Sequence, residues 1–157
     1  MELKVGQQAP DFSLYNTEKK EVSLSSLREQ NVLLLFFPLA FTSTCTEELC
    51  SVRDNLKMYE GLNVLPIGIS VDSLFSLKKF KEEQNLNFPL LSDFNKEGSK
   101  AYGSLYEAWG FNWKGVTKRS AFLIDKNGVI QYAEVLENAG DLPNFEAIQG
   151  KIRELTK

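Results

Sequence analysis

Residues 32 to 50 read VLLLFFPLAFTSTCTEELC and join two different kinds of segment. Val32 to Phe37 is apolar without interruption, the pattern of a strand buried on both faces of a sheet. Pro38, which has no backbone N–H to give to a ladder, ends that strand. After a short loop a helical pattern runs from about Ser43 to Tyr59. At about 100° per residue, Cys45, Leu49, Val52, Leu56 and Tyr59 fall on one stripe, whereas Cys50 lies with Asp54 and Lys57 well away from it. A doubly buried strand leading into an amphipathic helix is half of an α/β layer arrangement.

The flanking segments extend that pattern in both directions. VGQQAPDFSLYN and EVSL, separated by the polar NTEKK, predict an N-terminal β-hairpin. A second buried strand is expected over Leu62 to Ser70. Asp72 or Ser73 then caps a helix with Leu74, Leu77 and Phe80 on one face, and FPLLSD supplies a third strand bounded by Pro89. A short helix is expected near Lys96 to Tyr102. SAFLID and VIQYAEV flank Lys126, Asn127 and Gly128, a strong hairpin signal, and Pro143 to Leu155 closes the chain as an amphipathic helix. Strands separated by helices early and a hairpin late imply an α/β fold with a mixed central sheet flanked by helices.

At 157 residues, with 43% hydrophobic and 25% charged, the chain suits one globular domain spanning residues 1–157. A formal charge of -3, with Lys and Glu intermixed, leaves no basic stripe for a phosphate backbone, so nucleic acid is not an expected partner. No charged leader precedes an apolar run at the N-terminus, and VLLLFFPLAF falls far short of the roughly 20 residues that span a bilayer. The expectation is a cytoplasmic protein with no membrane partner. The chain has no histidine and only two cysteines, which excludes an ordinary Cys/His zinc site and any Ser-His-Asp or Cys-His nucleophile. Whatever activates a cysteine here is not imidazole.

Cys45 lies in the first turn of its helix, where free backbone N–H groups and the positive end of the helix dipole favour an anion. Its thiol pKa is therefore expected below the free value of about 8.5. Thr42, three residues earlier, could hydrogen-bond to that sulfur or to an incoming oxygen, and Pro38 could wall the pocket from water. Residues i and i+5 of an intact helix lie about 8 to 9 Å apart at Cα, beyond the roughly 7 Å limit for a disulfide. A bond between Cys45 and Cys50 therefore requires the first turns to unwind.

PLAFTSTC resembles the P-x-x-x-T-x-x-C motif of the peroxiredoxins, and CTEELC is similar to the C-T-x-E-x-C continuation of their bacterioferritin comigratory protein subfamily. GQQAPDF, GISVDS, FPLLSD and KRSAFLIDKNGVI match further family segments in order, so the resemblance covers nearly the whole chain. It implies a thioredoxin-like fold and reduction of hydrogen peroxide and organic hydroperoxides through a sulfenic acid on Cys45. The family's threonine falls on Thr42, its proline on Pro38, its arginine on Arg119 and its glutamate on Glu48, which would orient Arg119 or Arg53. Arg119 would supply a fixed charge and a fork of donors to thiolate and peroxide.

The resemblance also implies that Cys50 resolves the sulfenic acid as an intramolecular disulfide, recycled by thioredoxin or a similar dithiol reductant. The alternatives are a one-cysteine peroxidase recycled by an external thiol and a non-enzymatic redox sensor or holdase. A thiol-disulfide exchanger is disfavoured by the lack of C-x-x-C. No metal, haem, flavin or nicotinamide is expected, and monomer and homodimer both remain open. Trp109, Phe111 and Trp113 could flank the pocket, form a dimer surface or fill the core. The stretch ENAGD before the last helix has no role readable from sequence.

Overall fold

The computed structural model describes residues 3–155. Its centre is β3 (Asn31–Phe36), in which every residue is buried. Alternate side chains serve two different cores. Leu33, Leu35 and then Phe37 pack with Cys45, Leu49, Leu77, Phe80 and Ile148, while Val32, Leu34 and Phe36 pack with Ile67, Tyr102 and Phe122. That double duty is why the run is apolar at every position rather than at alternate ones. Each such side chain contributes on the order of 1.5–3 kcal/mol through burial.

The strands, in chain order, are β1 (Ser13–Asn16), β2 (Glu21–Ser23), β3, β4 (Val64–Ser70), β5 (Leu90–Ser92), β6 (Ser120–Ile124) and β7 (Ile130–Val135). They form one seven-stranded sheet in the order β2-β1-β5-β4-β3-β6-β7. β3 runs parallel to β4 and antiparallel to β6, and β5 runs parallel to β4, so the sheet is mixed. The helices are α1 (Ser43–Asp54), α2 (Leu56–Gly61), α3 (Leu74–Glu83), α4 (Glu97–Ala101) and α5 (Phe145–Leu155). This is the expected architecture, with the N-terminal hairpin β1–β2 attached to the sheet edge through β5.

Two expectations shift. The helix expected over Ser43 to Tyr59 is two helices, because Asn55 leaves helical geometry (φ -110°, ψ 15°) and its side-chain amide donates to the Ser51 carbonyl at 2.8 Å. A side chain that bonds back to its own preceding turn competes with the helix ladder. β4 starts at Val64 rather than Leu62, because Leu62 ends α2 and Asn63 turns the chain at φ 57°. The expected β6–β7 hairpin is present. Gly128 alone has positive φ (79°), its N–H donates to Asp125 O at 3.0 Å, and Asp125 Oδ1 accepts from the N–H groups of Asn127 and Val129. Of the two caps weighed for α3, Ser73 is the one used, accepting from Ser76 N–H at 3.2 Å.

Candidate active site

The end of β3 and the start of β6 meet because Phe36 pairs with Ser120. That register sets Arg119, one residue before β6, beside the loop that leaves β3 at Pro38 and enters α1. Asp72, two residues past the end of β4, supports the same loop: its Oδ2 accepts from Ala40 N–H and from the Ser70 hydroxyl, each at 2.7 Å. Thr42 takes the N-cap position of α1 in extended conformation (φ -92°, ψ 151°), and Cys45, third in the helix, is fully buried.

Arg119 is only 1% exposed, and its guanidinium is engaged on every side. Nη2 donates to Cys45 Sγ at 3.2 Å and to the Ala139 carbonyl at 2.9 Å, Nη1 donates to Glu48 Oε1 at 2.6 Å, and Nε reaches Ala139 O at 3.3 Å. A planar fork held at three corners cannot swing, so its charge stays against the sulfur. Of the two arginines weighed as its partner, Glu48 is bonded to Arg119. Arg53, the other candidate partner, lies elsewhere: its Nε pairs with Asp54 at 2.9 Å and its Nη1 donates to the Gln84 carbonyl. Lys118 turns away from the site to pair with Glu137 at 2.9 Å.

The electrostatics correct one expectation. Burial pushes the Cys45 thiol pKa up, and the opposing pull of Arg119, Thr42 and the Leu39 backbone does not fully offset it, with Glu48 adding to the rise. A helix terminus is worth up to about 2 kcal/mol, or roughly 1.5 pKa units, which is small beside the desolvation of a fully buried sulfur. Helix position alone does not carry that cost. Glu48 is likewise pushed up, to about 7, by burial, with Arg119 pulling it down and Glu134 adding to the rise. Its Oε2 is buried without a hydrogen-bond partner.

The Thr42 hydroxyl donates to the Leu39 carbonyl at 2.8 Å rather than to the sulfur, yet it is near enough to lower the Cys45 pKa. A hydroxyl rotates to suit its acceptor, so the same group can turn toward bound oxygen. Pro38, Thr42, Ser43, Trp109, Arg119 and Gly140 line a cavity of about 210 Å³. A larger cavity of about 400 Å³ between β1, the start of α3 and the loop after β5 is lined by no basic residue. Cys50 is half-buried on the far side of α1, its Sγ 3.5 Å from Gln84 Oε1, and both cysteines are free thiols. With α1 intact, the two sulfurs belong to separate environments.

The structure also uses what sequence reading passed over. ENAGD carries Ala139, whose carbonyl fixes Arg119, and the loop is shaped by Asn138 Oδ1 accepting from Gly140 N–H at 2.9 Å. A backbone carbonyl leaves no residue-type signal, although the Asn-x-Gly turn that presents it was visible. Of the three aromatic residues, Trp109 lines the cavity, whereas Phe111 and Trp113 are 83% and 48% exposed and fill no core.

The chain is similar to known proteins over most of its length. The AhpC/TSA family matches residues 5–133. Alkyl hydroperoxide reductase E of Mycobacterium tuberculosis is 40% identical over 136 residues, covering 85% of this chain and 86% of that protein. A Coxiella burnetii protein named as a peroxiredoxin of the bcp type is 39% identical over 132 residues, covering 83% of this chain and 87% of its own. The crystal structure of peroxidoxin BcpB from Mycobacterium tuberculosis superimposes with a TM-score of 0.87 at 27% identity, covering 98% of each chain.

Proposed function

The chain belongs to the AhpC/TSA family and is a peroxiredoxin, a thiol peroxidase of thioredoxin-like fold, and from that premise we propose that it reduces hydroperoxides at Cys45. The observation that carries the reading is the contact of Arg119 Nη2 with Cys45 Sγ at 3.2 Å, held in place by Glu48 and the Ala139 carbonyl. A fixed cation beside a buried sulfur favours the thiolate, and the Nη2 N–H that reaches the sulfur can pass to a peroxide oxygen that arrives there.

In the proposed reaction the Cys45 thiolate attacks one peroxide oxygen along the O–O axis. The S–O bond forms as the O–O bond breaks, and the leaving oxygen departs as alcohol or water after taking a proton. Arg119 and the Thr42 hydroxyl stabilise charge on the oxygens as the bond lengthens. Pro38 shields the sulfur from bulk water. The sulfenic acid on Cys45 then condenses with the Cys50 thiol, releasing water and forming a disulfide, and a dithiol protein such as thioredoxin reduces it. Two free thiols suit a reducing, cytoplasmic setting. The half-buried position of Cys50 supports its role as resolving thiol, since it needs only α1 to open and not a second chain.

Intact mass after one equivalent of hydrogen peroxide tests this reading, with free thiols blocked at the end. Wild type should lose two hydrogens, Cys50→Ser should hold a trapped sulfenic acid, and Cys45→Ser should consume no peroxide. Sulfenic acid in wild type as well would leave a one-cysteine peroxidase served by an external thiol. Rapid turnover by Cys45→Ser would end the peroxidase assignment to this residue.

A further inference from the structure

The cavity lined by Pro38, Thr42 and Arg119, whose Nη2 touches Cys45 Sγ, opens onto a path of aromatic rings. Trp109 forms part of the cavity wall, its ring lies 6.0 Å from Trp113, and Trp113 lies 5.4 Å from Phe111, which is 83% exposed. The segment is held in a tight turn by Trp109 N–H donating to Trp113 O at 2.7 Å and Trp113 N–H donating to Gly110 O at 3.3 Å. Phe111 (φ 64°) and Asn112 (φ 58°) both have left-handed backbone, which a bulky residue adopts only where its surroundings impose it. The strained turn therefore presents aromatic surface outward instead of burying it. The cavity, at about 210 Å³, is also far larger than hydrogen peroxide, which is about the size of two waters at ~30 Å³ each.

We propose that Trp109, Trp113 and Phe111 form the binding track for the apolar group of an organic hydroperoxide whose –OOH lies between Arg119 and Cys45, and that this track sets the preference for such substrates over hydrogen peroxide. The occupant follows from continuity: Trp109, where the aromatic path begins, shares the cavity wall with Arg119 and Thr42, the two groups proposed to hold the peroxide oxygens. Rings offset at 5 to 6 Å give a flexible alkyl or aryl tail successive flat apolar contacts while the reacting end stays fixed. Hydrogen peroxide has no tail and gains nothing from the track. The proposal rests on the peroxidase reading above and adds the residues that select among its hydroperoxide substrates.

The test compares kcat/KM for cumene hydroperoxide with kcat/KM for hydrogen peroxide in wild type, Trp109→Ala, Trp109→Phe and the surface double variant Phe111→Ser/Trp113→Ser. Wild type should favour cumene hydroperoxide, and the ratio should fall about tenfold in Trp109→Ala through KM, as expected when a large apolar contact with the tail is lost. Trp109→Phe should restore most of the ratio, and the double variant should lower it by a smaller factor. A ratio that stays within about twofold of wild type in Trp109→Ala and in the double variant overturns the proposal. A concentration-dependent dimer that buries Trp113, with that ratio unchanged, assigns the patch to a second copy and overturns it too. Wild type that turns over hydrogen peroxide with no preference for cumene hydroperoxide removes the track alone, whereas wild type inert to both peroxides removes the peroxidase reading as well.

Discussion

Arg119 does three jobs with one planar group: it contacts the sulfur, closes the ion pair with Glu48 and grips the Ala139 carbonyl. Lysine has the charge but not the fork, so it cannot reach all three partners from one position. Arg119→Lys is expected to slow oxidation of Cys45 by hydrogen peroxide by roughly 100-fold or more, the cost of removing one donor to a developing oxyanion. It should also raise the Cys45 thiol pKa; stopped-flow oxidation and the ultraviolet titration of the thiolate read both, and an unchanged rate would take Arg119 out of the chemistry. Glu48 leads to a pH prediction. Its pKa is raised from 4.5 to about 7 on folding, so between those values the folded chain keeps a proton that the unfolded chain releases. Raising pH through that window therefore favours unfolding, and the penalty is fully present above about 7. Glu48→Gln removes the titrating group, so the Tm of wild type relative to this variant should fall as pH rises from about 4.5 to about 7, with parallel profiles counting against a raised pKa. At this scale much of the site was legible, because Cys45, Thr42, Pro38, Arg119 and Glu48 carry distinctive chemistry in a distinctive pattern. The Ala139 carbonyl and the Asp72 support of the loop were not: one has no side-chain identity, and the other read as a helix cap.

Among the elements, legibility followed the strength of the burial signal. β3 could be read from six consecutive apolar residues because both of its faces meet a core. β6 behaves the same way, with all five residues buried. α1 was legible at its start but not at its end. The apolar stripe continues through Leu56 and Tyr59, since both still face the core side, while the backbone breaks between them and Asp54. Periodicity reports which face is buried, and a side-chain hydrogen bond from Asn55 to Ser51 decides continuity without disturbing that face. The break matters to the chemistry, because it makes the thiol-bearing segment a separate twelve-residue helix. α1 can thus open near its N-terminus while α2, which carries the buried Tyr59, keeps its place against β4.

For the whole molecule, α1 belongs at once to the site and to the larger of the two cores, so oxidation and stability are coupled. Cys45, Glu48, Leu49 and Val52 are all buried in the reduced structure. Joining Cys45 to Cys50 closes a ring of only a few residues, whose constraint on the unfolded chain is worth about 2 kcal/mol in the chain-entropy account. Reaching that bond unwinds the first turns of α1. Exposing Leu49 alone costs roughly 1.5–3 kcal/mol. Drawing Glu48 away from Arg119 leaves a buried cation without its carboxylate, a further cost of about 3–5 kcal/mol if nothing replaces it. The losses exceed the gain, so the disulfide form should be the less stable one, and with about 2–4 °C per kcal/mol at this chain length its Tm should drop by at least several degrees. Scanning calorimetry of the peroxide-treated and dithiothreitol-reduced protein measures the difference, with Cys50→Ser as the control that cannot close the ring. A disulfide form that melts at or above the reduced form would mean that Leu49 and Glu48 stay in place during resolution. The two thiols would then have to meet by some route other than opening α1.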